Sequence, residues 1–313
     1  MLATVGIGAG LVSALLFAVV ITGSPLALLL YSAAPLPIFI AALGWDHRSG
    51  LVASLTGAIA IAIVLVASAG AAYAVIIALP AWWIAYLALL ARQEEHGVEW
   101  YPLGRLLLWI AGTAALVTVG SALVMTTDYE SYRGVITRMI ENLLTEMSRA
   151  KLVNLPSDVG VRDLAQTLAP AVPVGIGASF VTTIALNLWI AAKVVQVSGR
   201  LARPWPFIPS TALPRQALLL LVLALVASAL GGFIGVAGAA LTGALLAAFM
   251  FTGLAFLHDA SRGRPWRMPM LISVYVALVV MQAVLTPLLV LAGFLDTLFS
   301  LRKRLAPPPP PNA

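Results

Sequence analysis

The chain has 313 residues, of which 61% are hydrophobic and 10% charged, and its mean hydropathy is +1.02. Soluble domains carry charge on roughly a quarter of their residues, so a soluble globule is excluded and an integral membrane protein is expected. The net charge of +6 fits the positive-inside bias of membrane proteins; no basic patch is interleaved with aromatics, so nucleic acid is not an expected partner. The absence of cysteine excludes disulfides, thiolate nucleophiles and zinc–thiolate sites.

Charge-free stretches run over 1–45, 51–91, 106–127, 164–192, 216–257 and 268–295. A crossing helix needs about 20 apolar residues, which gives two spans to each of the first, second and fifth stretches and one to each of the others. The expected fold class is all-α, a polytopic transmembrane helical bundle of about nine spans, bounded by eight and ten. Turn-forming residues place the internal breaks at Thr22 to Pro25, near Gly70 and at Gly231-Gly232. Four regions follow: an N-terminal bundle over 1–127, an extramembrane amphipathic helical insert over 128–163, a C-terminal bundle over 164–301 and a basic, proline-rich tail over 302–313. With no basic n-region and no A-x-A site before the next span, the first segment reads as a span and not as a signal peptide.

Between the second and third spans lies APLPIFIAALGWDHRSG. Pro35 and Pro37 belong either at the start of the second span, where a missing N–H costs least, or at a kink within it. Asp46 is placed to cap the third span, Trp45 to sit at the interface and Arg48 to anchor the cytoplasmic side. Pro35, Pro37, Gly44, Asp46, Arg48 and Gly50 are therefore read as a structural hinge. In the insert, Asp128 is a candidate N-cap, and Ile136, Met139, Ile140, Leu143 and Met147 recur on one helical face. That helix either packs on the membrane surface or the bundle, or acts as a lid or partner-binding element.

A cytoplasmic N-terminus places Arg48, Arg92, Arg105, Arg262, Arg264 and Arg267 inside, together with the 193–215 loop, whose Lys193, Arg200, Arg203 and Arg215 have no acidic counterpart. Nine spans would leave Arg302-Lys303-Arg304 outside, against the rule. Either Pro287 splits the last segment into a hairpin, or GFLDTLFS lies along the interface. The PPPPPNA end reads as a polyproline II tail.

Catalytic signatures are missing: no Walker A loop, no H-E-x-x-H, no G-x-S-x-G and no carboxylate pair. His47, His96 and His258 stand at span ends far apart in sequence, so no metal site, cofactor or enzymatic activity is expected. The spans hold no ionisable relay, which disfavours proton-coupled antiport. Asn187 and Gln282 fall near the middle of their stretches, with Thr182, Thr183 and Tyr275 one to two turns away. A buried amide needs partners that lipid cannot supply, so these are either interhelical hydrogen-bonding groups or contacts to a polar group of a substrate. Asn187, Gln282, Tyr275 and Thr183 form the candidate substrate-binding set. The Trp82-Trp83-Tyr86 cluster reads as an interfacial aromatic belt, and the glycines of GIGAG and of 231–243 as close-packing positions.

Three stretches, PLPIFIAALGWDHRSGLVASLTG, AFMFTGLAFLHDASRGRPWR and GFLDTLFSLRKR, resemble the YybS-like bacterial membrane proteins, domain of unknown function 2232. LAPAVPVGIGASFVTTIALNLWIAAKV is similar to the span that follows the insert in that family. The family is more distantly similar to the S subunits of energy-coupling-factor vitamin importers, in which a Pro-containing start and a Gly-bounded turn recur as Pro35, Pro37, Gly44, Gly50 and Gly57 do here. That resemblance implies a multi-pass protein of the bacterial inner membrane that binds or translocates a small solute and borrows energy from a separate ATPase. The chain has more spans than S subunits usually have, and none of their vitamin-contacting motifs can be placed on it. The alternative expectation is a scaffold or assembly factor whose partner is another membrane protein.

Overall fold

The computed structural model describes residues 2–95, 97–153 and 160–302. His96, the Lys303-Arg304 pair and the polyproline tail lie outside the described residues. Local residue choices account for most of the breaks between helices. Helix α1 (Leu2–Ala18) ends in a 3-10 turn (Val19–Thr22) closed by Gly23 at φ 65°, and Ser24 caps α2 (Pro25–Ser32) by accepting the Ala27 N–H at 3.1 Å. Helix α3 (Pro35–Gly44) starts only two residues later, so Pro35 begins a new helix inside the second span, Leu26–Gly44. Of the two placements open to Pro35 and Pro37, the kink is adopted; Pro25 holds the start. Asp46 then accepts the Arg48 N–H at 2.8 Å and caps α4 (His47–Val64).

The next crossing is composite: α5 (Ala67–Tyr73), a π-helical turn (Ala74–Ala78) and α6 (Leu79–Ala88). The break before it falls at Leu65-Val66, not near Gly70. Gly70 is buried, and a Cβ there would press on the Ala58 carbonyl and on Ala62; this glycine serves helix approach, not reversal. A short antiparallel hairpin, β1 (Ala91–Glu94) and β2 (Gly97–Trp100), pairs Ala91 with Trp100; hydropathy does not register it.

After α7 (Leu103–Met125) comes α8 (Tyr129–Arg149), where the Asp128 carboxylate accepts the Ser131 N–H at 2.7 Å. Tyr132 and Ile136 are buried near Ala169, Val236 and Phe233, whereas Met139 and Leu143, on the expected apolar face, are exposed. Helix α9 (Val161–Leu168) runs through a 3-10 turn (Ala169–Ala171) into α10 (Val172–Val197), so the boundary placed at 163/164 falls inside a helical stretch of 37 residues. Gly231 and Gly232, at φ 73° and 59°, turn α11 (Gln216–Ser228) into α12 (Gly232–Ala260).

Among the described residues eight helical segments are long and apolar enough to cross a membrane, and the fold is an all-α polytopic bundle. Helix α11, at 13 residues, is about 20 Å long and short of the roughly 30 Å hydrocarbon core. The last apolar stretch is two helices, α13 (Arg267–Val280) and α14 (Gln282–Phe299), broken at Met281. Pro287, which under one of the two alternatives would split this segment, sits in the second turn of α14, where it removes one hydrogen bond without ending the helix.

Two helices organise the packing. Helix α4 gathers α1, α3 and α5; α12 gathers α7, α10, α11 and α14, while α10 on α3 and α6 on α7 join the halves. Around α12 the backbones nearly touch: a Cβ on Gly177 or Gly243 would strike the carbonyls of Ala240 or Val174, and one on Gly253 or Gly293 those of Leu289 or Phe249.

Candidate functional site

The four candidate substrate-binding residues do not form one site. Asn187 on α10 is buried, and its Nδ2 donates to the Ser32 carbonyl at 2.9 Å and to the Thr183 carbonyl at 2.8 Å, tying α10 to the end of α2. Both amide hydrogens are therefore spent on backbone, and Thr183 contributes its carbonyl to the same contact. Tyr275 on α13 is half-exposed and its hydroxyl lies 2.9 Å from His258 Nε2. Gln282 is exposed at the first turn of α14.

The residues of the hinge are spread along a packed interface. Gly50 faces Ala42 across the α3–α4 turn, Gly44 faces Val195 of α10, and Asp46 bonds His47 Nδ1 at 2.7 Å as well as the Arg48 amide. His47 packs its ring against Tyr86, next to Trp82 and Trp83. His47 and His258 stand on different helices, and no group of three potential metal ligands occurs among the described residues.

A cavity of about 250 Å³ lies elsewhere, between α7, α10, α12 and the loop residues 205–211. Leu106 and Ile110 come from α7, Ala185 and Trp189 from α10, Phe251 from α12 and Trp205 from the loop. The lining is apolar except for Thr211, whose buried Oγ1 has no hydrogen-bond partner. Hydropathy marks these helices as spans but does not show which of their apolar faces stand apart; only the packing does. Trp205 holds the Lys193 ammonium over its ring at 3.9 Å from the centroid.

Directly behind Thr211 sits the most charged interior feature of the described structure. Ser300 adopts φ 52°, turning the chain back after α14, and Arg302 re-enters the bundle. Its Nε meets Asp296 Oδ2 at 2.8 Å, Nη2 donates to the carbonyls of Thr211 at 2.9 Å and Thr252 at 3.1 Å, and Nη1 donates to the Pro209 carbonyl. The Asp296 side chain is 3% exposed and that of Arg302 13%. In the sequence, Asp296 merely bounds an apolar stretch and Arg302 opens a basic tail; the six-residue spacing across a left-handed serine is too weak a signal to pair them. The loop has a second tie at Arg203, which donates to the Ala88 carbonyl at 3.3 Å and whose pKa is lowered by burial.

The family model described as "Predicted membrane protein (DUF2232)" matches residues 11–297. The chain belongs to this family. The match takes in the whole cavity and Asp296 and stops short of Arg302. No curated protein and no solved structure matches the chain.

Proposed function

We propose that this DUF2232 protein is a binding or translocating protein of the bacterial inner membrane, with its N-terminus in the cytoplasm, that takes up a small solute. The observation that supports it is the apolar cavity at the joint of α7, α10 and α12 with a single unpaired hydroxyl in its wall. A mostly apolar pocket with few polar groups is the usual form of a small-molecule site. The cation-rich 193–215 segment supports the cytoplasmic assignment of that loop. With no nucleotide-binding loop in the sequence and no catalytic group in the cavity lining, the protein is read as a non-enzyme that depends on a separate ATPase or another membrane protein, as S subunits do.

The competing reading is a scaffold. It draws on Asn187, whose amide N–H groups both donate to backbone, and on the exposed Met139 and Leu143 of α8, which offer a partner-facing stripe. Mass spectrometry of small molecules retained by detergent-purified protein separates the two. Carrier function predicts a retained non-detergent compound that a bulky substitution at Ala185 displaces. Recovery of lipid and detergent alone, with a protein partner co-purifying, favours the scaffold.

A further inference from the structure

The cavity has an open side. Leu186 and Trp189, both in its lining, are 46% and 48% exposed, so in a bilayer that mouth faces lipid chains and not water. A ligand can therefore arrive sideways from the membrane. The volume of about 250 Å³ falls below the range of roughly 300–1,000 Å³ typical of pockets for drug-sized molecules, which favours one narrow chain over a multi-ring solute.

The polar features collect at the loop end. The Lys193 ammonium, one turn beyond Trp189 on α10, stands over the ring of Trp205, a residue of the lining. Lys193 bonds the neutral Gln196 Oε1 at 3.1 Å, so that contact leaves its charge uncompensated. From residue 164 to 258 the sequence has Lys193, Arg200, Arg203 and Arg215 and no Asp or Glu at all. An apolar slot open to lipid, with a cation held against the tryptophan that walls one end, is complementary to a molecule with a hydrocarbon chain and a negative head.

We propose that the cavity binds an anionic single-chain amphiphile, its chain among α7, α10 and α12 and its carboxylate or phosphate at Lys193. This deepens the reading of the cavity as the binding site and rests on it. A neutral ligand of the same shape would fill the slot equally well but would draw nothing from Lys193.

The test uses the full chain in phosphatidylcholine nanodiscs at pH 8.5, labelled with a diazirine-bearing palmitic acid and with the hexadecanol of the same diazirine position. Labelled peptides are mapped by mass spectrometry, with excess unlabelled palmitic acid as competitor. The acid should label cavity-lining peptides of α7, α10 or α12 in a competable way, about 5-fold more than the alcohol, the preference expected from one nearby cation. Lys193→Gln, a change at a partly exposed edge, should erase that preference and keep alcohol labelling and the thermal unfolding midpoint. Ala185→Phe should reduce labelling by both probes. Equal labelling by acid and alcohol in the wild type, or a preference that survives Lys193→Gln, overturns the anionic ligand and leaves the cavity a binding site. No competable labelling of the lining by either probe overturns both.

Discussion

The two halves of the bundle bury polar groups by different means. In the α1–α6 half they are neutral: the Tyr73 hydroxyl donates to Ser13 Oγ at 2.7 Å, the Ser13 O–H donates to the Ala34 carbonyl, and Ser54 shares its hydroxyl between the Gly50 and Ala78 carbonyls. In the α7–α14 half there is a buried carboxylate–guanidinium pair, a cavity, and hydroxyls at Thr211, Thr242 and Thr286 with no partner. The first half ties its helices with these bonds and leaves the buried indole N–H groups of Trp45 and Trp82 unpaired. The second alone combines a buried ion pair with a cavity, beside which Thr211 lies, and that is where ligand chemistry is to be sought.

The largest expected effect tests the charged half. Arg302→Leu leaves Asp296 buried without its cation and should cost about 3–5 kcal/mol of stability, read as a lower unfolding midpoint in detergent. The Asp296→Leu, Arg302→Leu double variant should recover much of that loss, because the uncompensated charge is gone. A single variant as stable as the wild type would mean that the pair is solvated and the contrast between halves is false. Next in size, Asn187→Leu should lose about 1–2 kcal/mol, since two interhelical or local hydrogen bonds vanish in an apolar setting. Tyr73→Phe should cost about 1 kcal/mol, the net worth of one hydrogen bond whose acceptor keeps its other partner. If Tyr73→Phe proved the more damaging of the two, the neutral network would be cooperative and not a sum of pairs.

Smaller effects sharpen the edges of the comparison. Ser300→Gly relieves a left-handed serine and should stabilise by up to about 1 kcal/mol while preserving the Arg302 contact. The Asp128 carboxyl is held below the usual carboxylate range by its bond to Ser131, so its capping contribution is complete above the unfolded value, about 3.9, and fades as pH falls through the lower folded value. Hydrogen exchange at the start of α8 should therefore accelerate in acid in the wild type, and Asp128→Asn should flatten that dependence.

Much of the architecture was legible because the bilayer imposes it. Charge-free gaps locate the spans, Gly231-Gly232 locates a reversal, and Asp128 locates a helix start, since each rests on a local cost that no distant contact can remove. What failed depended on packing. Gly70 looked like a turn and is a contact surface for α4, and Pro287, one of two candidates for reshaping the last segment, leaves the break to Met281. For the site, sequence singled out Asn187, whose N–H donors are spent on backbone, and passed over Thr211 and Trp205, which line the cavity, with Lys193 over the Trp205 ring. A polar residue in a span is visible in sequence; an empty space between two apolar faces is not.

The close glycine contacts of α12 also bear on motion. Where a carbonyl of one helix rests against the Cα of the next, neither can slide by a turn without steric collision, so α10, α12 and α14 move as one slab. The articulated pieces lie at the joint before Pro35, at the π-turn of Ala74–Ala78 and at Met281. Shape changes in this protein are accordingly routed through bending at those three joints, with the slab as the fixed frame against which they are measured.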